Sequence, residues 1–249
     1  MRILALDTAT ENCSAALMID GRVLGREVEF ERGHAERILP MIDELLAEAG
    51  TTLRSLDAIA FGRGPGSFTG VRLAATVTQG LAFGAGVGVV PVSDLRAVAQ
   101  RAFAHDATIT RVLVCNDARM SEVYWGCFER GADTLAAPEG EEHVGKPLTV
   151  ALPQGWTAAV GVGRGFAAYA ADLRTAVPRV FASEHRTGDP LVAATPYDRF
   201  LPRAAEIVLL AVSEVAEGRI VSADAAMPVY LRDNVAHVAQ PGKPPGQVH

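Results

Sequence analysis

The chain has 249 residues, of which 49% are hydrophobic and 21% are charged, and its formal net charge is -6. This length allows one large domain or two small ones, and the composition is ordinary for a folded soluble protein. The negative charge argues against a chain that grips nucleic acid by itself, because proteins that do so are normally basic. If RNA is involved, we expect a partner to hold it.

The cysteines and the N-terminus predict the compartment. Cys13, Cys115 and Cys127 lie far apart in apolar runs, outside any Cys-x-x-Cys pair, as is typical of reduced core residues in a cytosolic protein. Asp7 and Glu11 stand where a signal peptide needs apolar residues, and no apolar run reaches the roughly 18 residues of a membrane span. We therefore expect a cytoplasmic protein that does not enter a membrane.

Strand and helix patterns alternate through the first part of the chain and predict an N-terminal lobe over residues 1–107. Apolar runs predict strands, and the turn Asp20-Gly21 predicts a hairpin between the second and third of them. Periodic apolar residues predict helices, one of them capped by Ser93. The strands are predicted at 3–6, 13–19, 23–30, 59–61 and 87–92, and the helices at 34–49, 69–85 and 93–104.

A strand-to-helix turn between residues 62 and 70 carries four glycines and one proline. Glycine permits positive φ and close backbone approach, and a helix start attracts anions through its free amides. Ser67 or Thr69 can cap the helix. With Asp7 at the end of the first strand, Gly64, Gly66, Ser67 and Thr69 could form a vestigial nucleotide or phosphate loop. A purely structural turn is the alternative, since no P-loop, Rossmann or nucleophile-elbow pattern fits.

Two helices of this lobe carry faces suited to docking another helix. Residues 38–49 place apolar side chains over a wide arc, and small residues on one side of the second helix permit close approach. The predicted interface residues are Leu39, Ile42 and Leu46 in the first helix, and Gly70, Leu73, Ala74, Val77 and Leu81 in the second.

The pattern restarts after residue 110. Residues 111–117 resemble 2–8, and 123–131 resemble 15–21, at an offset of about 109 residues. This internal duplication predicts a second, degenerate lobe over 108–197 and a cleft between the lobes. Within it we expect loops over 135–146, a strand-to-helix turn at Gly161 and a short strand at 180–182. A long helix over 198–220, with a helical pattern from Leu201 to Ala216, should pack on the first lobe. We expect residues 221–249 to form a C-terminal segment that ends in a mobile tail.

Two lobes that each begin with a strand ending in an acid resemble the actin, Hsp70 and sugar-kinase superfamily. That resemblance implies a two-lobed α/β, ribonuclease H-like fold with a mixed, helix-flanked sheet in each lobe. Five motifs resemble, in order, the bacterial TsaB family. They are Ile3-Leu-Ala-Leu-Asp-Thr-Ala-Thr10, His34-x-x-x-Ile-Leu-Pro40, Gly64-Pro-Gly-Ser-Phe-Thr-Gly-Val-Arg72, Asp117-Ala-Arg119 followed by Glu122-Val-Tyr124, and Pro228-Val-Tyr-Leu-Arg232.

The resemblance implies a non-catalytic subunit of the machinery that forms N6-threonylcarbamoyladenosine in tRNA. Its paralogue TsaD would carry the chemistry, and TsaE would supply an ATPase. The chain would pair through the two N-lobe helices with TsaD, or with a second copy of itself when TsaD is absent, and would meet tRNA only through the complex. It would have no catalytic residues, no metal and no required cofactor. The resemblance leaves open whether an adenine nucleotide binds at the interface with TsaD.

Two positions depart from catalytic relatives. TsaD-like proteins hold a metal with two histidines four residues apart on the first helix, whereas here His34 is followed at that spacing by Ile38. One imidazole cannot supply two ligands, so we expect His34 at a helix start or an interface. Ala9 stands where relatives with a working phosphate loop usually have glycine, and its Cβ limits the approach of a phosphate.

Two enzymatic alternatives remain. A phosphotransferase or ATPase would use the interlobe cleft, with Asp7 and Asp117 near a metal and the loops at Gly64 and Gly161 near phosphates. Ala9 and the lack of lysine near these loops disfavour it. A metalloprotease would need a His-Glu-x-x-His motif, which the sequence lacks.

Overall fold

A computed structural model of the chain describes residues 1–181 and 197–232. The strands of the described residues are β1 (Arg2–Asp7), β2 (Asn12–Ile19), β3 (Arg22–Glu29), β4 (Ala58–Gly62), β5 (Gly88–Val92), β6 (Arg111–Asp117), β7 (Val123–Arg130), β8 (Ala136–Pro138), β9 (His143–Gly145) and β10 (Val160–Val162). The α-helices are α1 (His34–Glu48), α2 (Phe68–Ala85), α3 (Asp94–His105), α4 (Gly165–Ala168), α5 (Ala170–Ala176), α6 (Pro178–Phe181) and α7 (Ala204–Ala216).

The first sheet has the strand order β3-β2-β1-β4-β5. Strand β1 runs antiparallel to β2 and parallel to β4. The predicted hairpin between β2 and β3 is confirmed, with Asp20 at φ 48° and Gly21 at φ 85°, as a type I′ turn requires. Alternate residues of β1 point to opposite faces of the sheet, so that each face carries its own apolar layer.

Helices α1 and α2 cover one face of this sheet, where Leu4 and Leu6 of β1 join a buried cluster with both helices. Helix α7 covers the other face, where Ile3 and Ala5 lie. Its predicted start at Leu201 is wrong, because the helix begins at Ala204. The reason is Pro202, since a residue that precedes proline is disfavoured in helical conformation.

The second sheet has the order β10-β6-β7-β8, and β9 also pairs with β7. Strands β10, β6 and β7 repeat the arrangement of β4, β1 and β2, with the same parallel and antiparallel pairings. The predicted loops over 135–146 are wrong in part, because β8 and β9 form there along the free edge of β7. The predicted strand at 180–182 is wrong where the structure describes it, since residues 178–181 form α6. Pro178 begins that helix, a position that proline favours.

Helices α3 and α7 lie between the two sheets and contact each other. The apolar cluster around them contains Ala60 from the first sheet, Val114 from the second, and Phe103 and Ile207 from these helices. One continuous core therefore joins the two halves. The predicted tail at 241–249 lies outside the described residues. Among those that are described, no helix is both long and apolar enough to cross a bilayer.

Candidate functional site

A cleft of about 790 Å³ opens between the two halves of the molecule. The turn after β1, the starts of α1 and α2, the turn after β6 and the segment 229–232 line it. Of the residues predicted for a phosphate loop, Gly66, Ser67 and Thr69 line this cleft, whereas Asp7 and Gly64 do not. The structure thus brings only part of the predicted loop to the cleft.

The start of α2 is capped from within the chain. Ser67 Oγ accepts a hydrogen bond from the Gly70 amide at 3.0 Å, so Ser67 is the N-cap. The Ser67 amide itself donates to the Ala9 carbonyl oxygen at 2.7 Å. A Cβ on Gly66 would stand 2.6 Å from that oxygen. The turn that carries Ala9 therefore packs directly on the glycine loop, which closes the approach that a phosphate between the two loops would need.

Asp7 does not have the cleft-facing position that a metal-binding or water-orienting carboxylate would need. Its side chain is fully buried, and its Oδ1 accepts a hydrogen bond from the Ala9 amide at 2.9 Å. Burial raises the pKa of Asp7 to about 7. Asp94, at the start of α3, is equally buried, and it accepts a hydrogen bond from the Gly64 amide. The prediction of Asp7 at a phosphate loop is corrected on this point, because the carboxylate points inward rather than into the cleft.

His34 holds the start of α1. Its Nε2 donates to the Thr10 carbonyl oxygen at 2.8 Å, and its ring packs against Phe30 at a centroid distance of 4.7 Å. This is the helix-start position expected from the sequence. Among the residues that the structure describes, no three His, Cys, Asp or Glu side chains gather as they would around a metal ion.

The structure corrects which side of the two helices is free. Ile42, Leu46, Gly70 and Ala74 are buried against the chain's own first sheet. Leu73, Val77 and Leu81 are partly exposed. Gly70 and Ala74 therefore pack on the chain's own sheet and are not available to a second molecule, whereas Leu73, Val77 and Leu81 stay predicted interface residues.

A different side of α2 faces solvent, and it carries small residues beside one phenylalanine. Thr76, Gly80, Phe83 and Gly84 lie on the exposed side of α2, and a Cβ added at Gly80 or Gly84 would meet no atom within 4 Å. Phe83 is 85% exposed. On α1, Leu39 is 46% exposed. Because α1 and α2 cover the same face of the sheet, these five residues point away from it together, and we call them the outer face.

A C-terminal strap, residues 226–232, fastens the glycine loop to the second half of the chain. The Val229 amide donates to the Arg63 carbonyl oxygen at 2.7 Å. Arg72 of α2 donates to the Tyr230 hydroxyl at 2.7 Å. At the far end, Arg232 donates to the Ala118 carbonyl oxygen at 3.2 Å. The motif from Pro228 to Arg232 is visible in the sequence, but its role depends on these long-range contacts.

The turn after β6 forms the opposite rim of the cleft and is strained. Arg119, Met120 and Ser121 are consecutive non-glycine residues with φ of 61°, 55° and 58°, a region that costs about 1–3 kcal/mol for each residue. Arg119 contacts Asp117 at 3.2 Å and Glu11 at 3.0 Å. Strain of this kind persists where surrounding contacts hold it and is often found at functional sites.

The comparisons with known proteins decide the family. The protein-family model described as "TsaD: tRNA N6-adenosine threonylcarbamoyltransferase" matches residues 28–240 of this chain. The Escherichia coli "tRNA threonylcarbamoyladenosine biosynthesis protein TsaB" is 42% identical over 248 residues, which cover 98% of this chain and 100% of that protein. The chain belongs to the TsaB family. The Haemophilus influenzae TsaB protein is 39% identical, with 98% of each chain covered.

Solved structures agree with this assignment. "YeaZ from Pseudomonas aeruginosa" has a TM-score of 0.77 and 41% identity, covering 92% of this chain and 99% of that one. A second Pseudomonas aeruginosa structure, described as an uncharacterised protein with similarity to the peptidase YEAZ, has a TM-score of 0.78 and covers 93% and 99% of the two chains. The family and the α/β fold that the motifs predict are both confirmed.

Residues from all five TsaB-like motifs line the cleft. The motif from Pro228 to Arg232 forms a hydrogen bond with Arg63, which precedes the glycine motif. Through Arg232 it also forms a hydrogen bond with the turn of the Asp117 motif. The TsaB pattern in this sequence therefore marks one connected rim rather than separate sites.

Proposed function

We propose that this TsaB-family chain is a non-catalytic subunit in the cytoplasmic formation of N6-threonylcarbamoyladenosine in tRNA. It docks on TsaD through the outer face of α1 and α2, while TsaD carries the chemistry and TsaE supplies an ATPase. The names of the relatives support the pathway. The docking surface is supported chiefly by the open space beside Gly80 and Gly84 on an exposed helix.

Gly80 lies in the body of α2 and Gly84 in its last turn. Inside a helix, glycine is about 1 kcal/mol less favourable than alanine, so Gly80 is unfavourable for the isolated chain. No described atom lies within 4 Å of where either Cβ would stand. Glycine lets a second helix approach more closely than the usual separation of roughly 8–10 Å. We infer that the backbone of a partner helix lies over Gly80 and Gly84.

The apolar residues of the outer face fit the same proposal. Phe83 and Leu39 leave 85% and 46% of their surface exposed, and aromatic side chains are enriched in protein interfaces. A second copy of this chain could use the same face in a two-fold dimer when TsaD is absent, because such a dimer pairs one patch with itself. The net charge of -6 disfavours direct binding of tRNA, so we infer that the chain meets tRNA only through the complex.

A phosphotransferase or ATPase in the cleft is the second candidate. One observation favours it, because the amides of Phe68 and Thr69, at the positive end of α2, have no acceptor among the described residues. The buried position of Asp7 and the contact of Ala9 with Gly66 weigh against it. Measurement of ATP hydrolysis by the purified chain and by Asp117→Asn tests this candidate. Hydrolysis that the substitution abolishes would establish it.

The docking experiment compares exposed helix positions. Thr76→Arg and Leu39→Glu place a charge in the outer face, and each should abolish co-sedimentation with purified TsaD. Ala171→Arg, at an exposed position on α5, is the matched control and should bind normally. Association that survives both outer-face substitutions would show that docking occurs elsewhere. No cofactor is needed in this proposal, and repeating the run with added adenine nucleotide tests for one at the interface.

Gly80→Ala gives a sharper form of the same test. The added methyl group should stabilise the free chain by up to ~1 kcal/mol, and it should weaken binding to TsaD because it stands where the partner's backbone would lie. A general defect in folding would lower both quantities. Opposite changes in stability and affinity are therefore specific to a docking role.

A further inference from the structure

Two aspartates that are 87 positions apart in the sequence meet beneath the glycine loop. Asp7 ends β1, Asp94 begins α3, and both side chains are fully buried. Gly62 lies between them, and a Cβ there would stand 2.3 Å from Asp94 Oδ1 and 2.6 Å from Asp7 Oδ1. The absence of a side chain at residue 62 lets the two carboxyl groups approach each other.

The hydrogen bonds around the pair account for only half of its oxygen atoms. The Ala9 amide donates to Asp7 Oδ1, and the Gly64 amide donates to Asp94 Oδ2. Asp7 Oδ2 and Asp94 Oδ1 are buried and have no donor. Two adjacent carboxyl groups cut off from water cannot both be ionised, because mutual repulsion adds to the loss of hydration.

The charges nearby do not neutralise the pair. Glu142, which precedes β9, accepts a hydrogen bond from Ser93 Oγ and lies 3.4 Å from Arg63, so that cation is already engaged. Burial and then the charge of Asp7 raise the pKa of Asp94 most, and the Glu142 charge raises it further. On β2, burial first and then the charge of Asp7 raise the pKa of the Cys13 thiol to about 12, so the thiol stays neutral.

We propose that Asp7 and Asp94 share one proton, which fastens the glycine loop to the end of β1 and the start of α3. Asp94 Oδ1 carries the proton and donates it to the Asp7 carboxylate, while Asp94 Oδ2 still accepts from the Gly64 amide. A metal ion in the same place would need about six or more oxygen ligands, and the backbone at Gly62 occupies one side of the pair.

The sign of the pH effect follows from linkage. Burial, followed by the charge of Asp7, raises the pKa of Asp94 well above its usual value, and burial raises that of Asp7. The folded chain therefore keeps a proton that the unfolded chain releases above pH ~4. The resulting stabilisation is complete in acid and is lost as the pH rises through the raised pKa values.

The shared proton should also affect docking on TsaD, and this consequence rests on the proposed function. The glycine loop leads into α2, which carries most of the outer face. Release of the proton leaves two negative charges buried beneath that loop. The repulsion between these charges disfavours the loop position that orients α2. We expect alkaline pH to weaken docking on TsaD through this route.

The test replaces the proton by a permanent donor. In Asp94→Asn, the amide oxygen can accept from the Gly64 amide and the amide nitrogen can donate to Asp7 at any pH. Urea unfolding of the full chain is measured from pH 5 to 9 for the wild type, Asp94→Asn and Asp43→Asn, an exposed control on α1. Relative to Asp94→Asn, the folding constant of the wild type should fall ~10-fold per pH unit while one proton is at stake, and the control should follow the wild type.

Equal slopes for the wild type and Asp94→Asn would overturn the proposal. The proposal would also be overturned if added Mg²⁺ restored stability at alkaline pH or if a chelator lowered stability. Either result would assign the site to a metal ion. Asp7→Asn provides a second variant if Asp94→Asn does not fold, because its amide can donate to an ionised Asp94. The infrared carbonyl band of a protonated carboxyl group should be present in the wild type at neutral pH and absent in Asp94→Asn.

The docking proposal can fail independently. Thr76→Arg should lose TsaD at every pH and keep the wild-type dependence of stability on pH, whereas Asp94→Asn should bind TsaD equally well at neutral and alkaline pH. If Thr76→Arg binds TsaD, the outer face is not the docking surface. The pH dependence of unfolding then still tests the shared proton separately.

Discussion

The carbonyl oxygen of Thr8 lies so close to Gly70 that a Cβ on residue 70 would stand 2.1 Å from it. The Thr8 hydroxyl in turn donates to the Gly70 carbonyl oxygen at 2.7 Å. This contact joins the end of β1 to the first turn of α2. It sets the distance between the helix and the sheet, and therefore how far the opposite side of α2 stands out from the molecule.

Gly70 and Gly80 lie on the same helix and should respond in opposite ways to the same substitution. Gly70→Ala forces the helix away from Thr8 and should destabilise the chain by about 1–3 kcal/mol, as overpacking does. At Gly80, where a methyl group meets open space, alanine should stabilise it by up to ~1 kcal/mol. Urea unfolding of the two variants checks this, and a loss of similar size in both would contradict the packing described.

The strap should contribute to stability through Arg232. This side chain is largely buried, and it donates to Glu122 and to the Ala118 carbonyl oxygen. Hydrogen bonds of charged groups contribute about 1.5–3 kcal/mol when well buried, and the partial exposure of this pair reduces that figure, so Arg232→Ala should cost about 1–2 kcal/mol. Arg54→Ala, at an exposed position, should change stability by less than ~0.5 kcal/mol.

Limited proteolysis gives an independent readout for the strap. Arg232→Ala should be cut sooner than the wild type between residues 226 and 232, because the far end of the strap has lost its anchor. Cleavage at an unchanged rate would mean that Val229 and Tyr230 hold the strap without it.

The ion pairs that join the two halves of the molecule should contribute little to stability in ordinary buffer. Glu11 lies 3.0 Å from Arg119 and 3.3 Å from Arg164, and Arg164 also lies 2.6 Å from Glu29. All are at least one-third exposed, and such pairs contribute about 0–1 kcal/mol and weaken in salt. Glu11→Gln should therefore reduce stability by less than ~1 kcal/mol in dilute buffer and by almost nothing in concentrated salt. If concentrated salt did not reduce this loss of stability, the ion pairs would be better shielded from solvent than their exposed surface indicates.

Local patterns were enough to predict the first sheet and its helices. The hairpin at Asp20-Gly21 depends only on residues that tolerate positive φ, and Ser93 caps α3 through its bond to the Arg96 amide. The duplication is visible because β6 and β7 keep the apolar runs of β1 and β2. Strands of three residues, such as β8 and β9, carry too little pattern to distinguish them from loops.

The site depends on contacts that periodicity does not contain. Small residues occur on two sides of α2, at Gly70 and Ala74 and again at Thr76 and Gly80, and a period of 3.6 residues does not say which side faces the sheet. The meeting of Asp7 with Asp94 requires the parallel pairing of β1, β4 and β5, which brings the ends of those strands to one edge. Asp94 itself is visible in the sequence only as an ordinary residue in the first turn of a helix.

The central claim is that this chain supports tRNA modification by docking rather than by turnover. The rate of threonylcarbamoyladenosine formation by purified TsaD and TsaE, supplied with a threonylcarbamoyl donor and tRNA, tests it most directly when the added chain is wild type, Thr76→Arg or Asp117→Asn. The account predicts that Thr76→Arg gives the rate found with no chain added and that Asp117→Asn, which changes a cleft carboxylate, gives the wild-type rate. The reverse result, with Thr76→Arg active and Asp117→Asn inactive while still bound to TsaD, would contradict it.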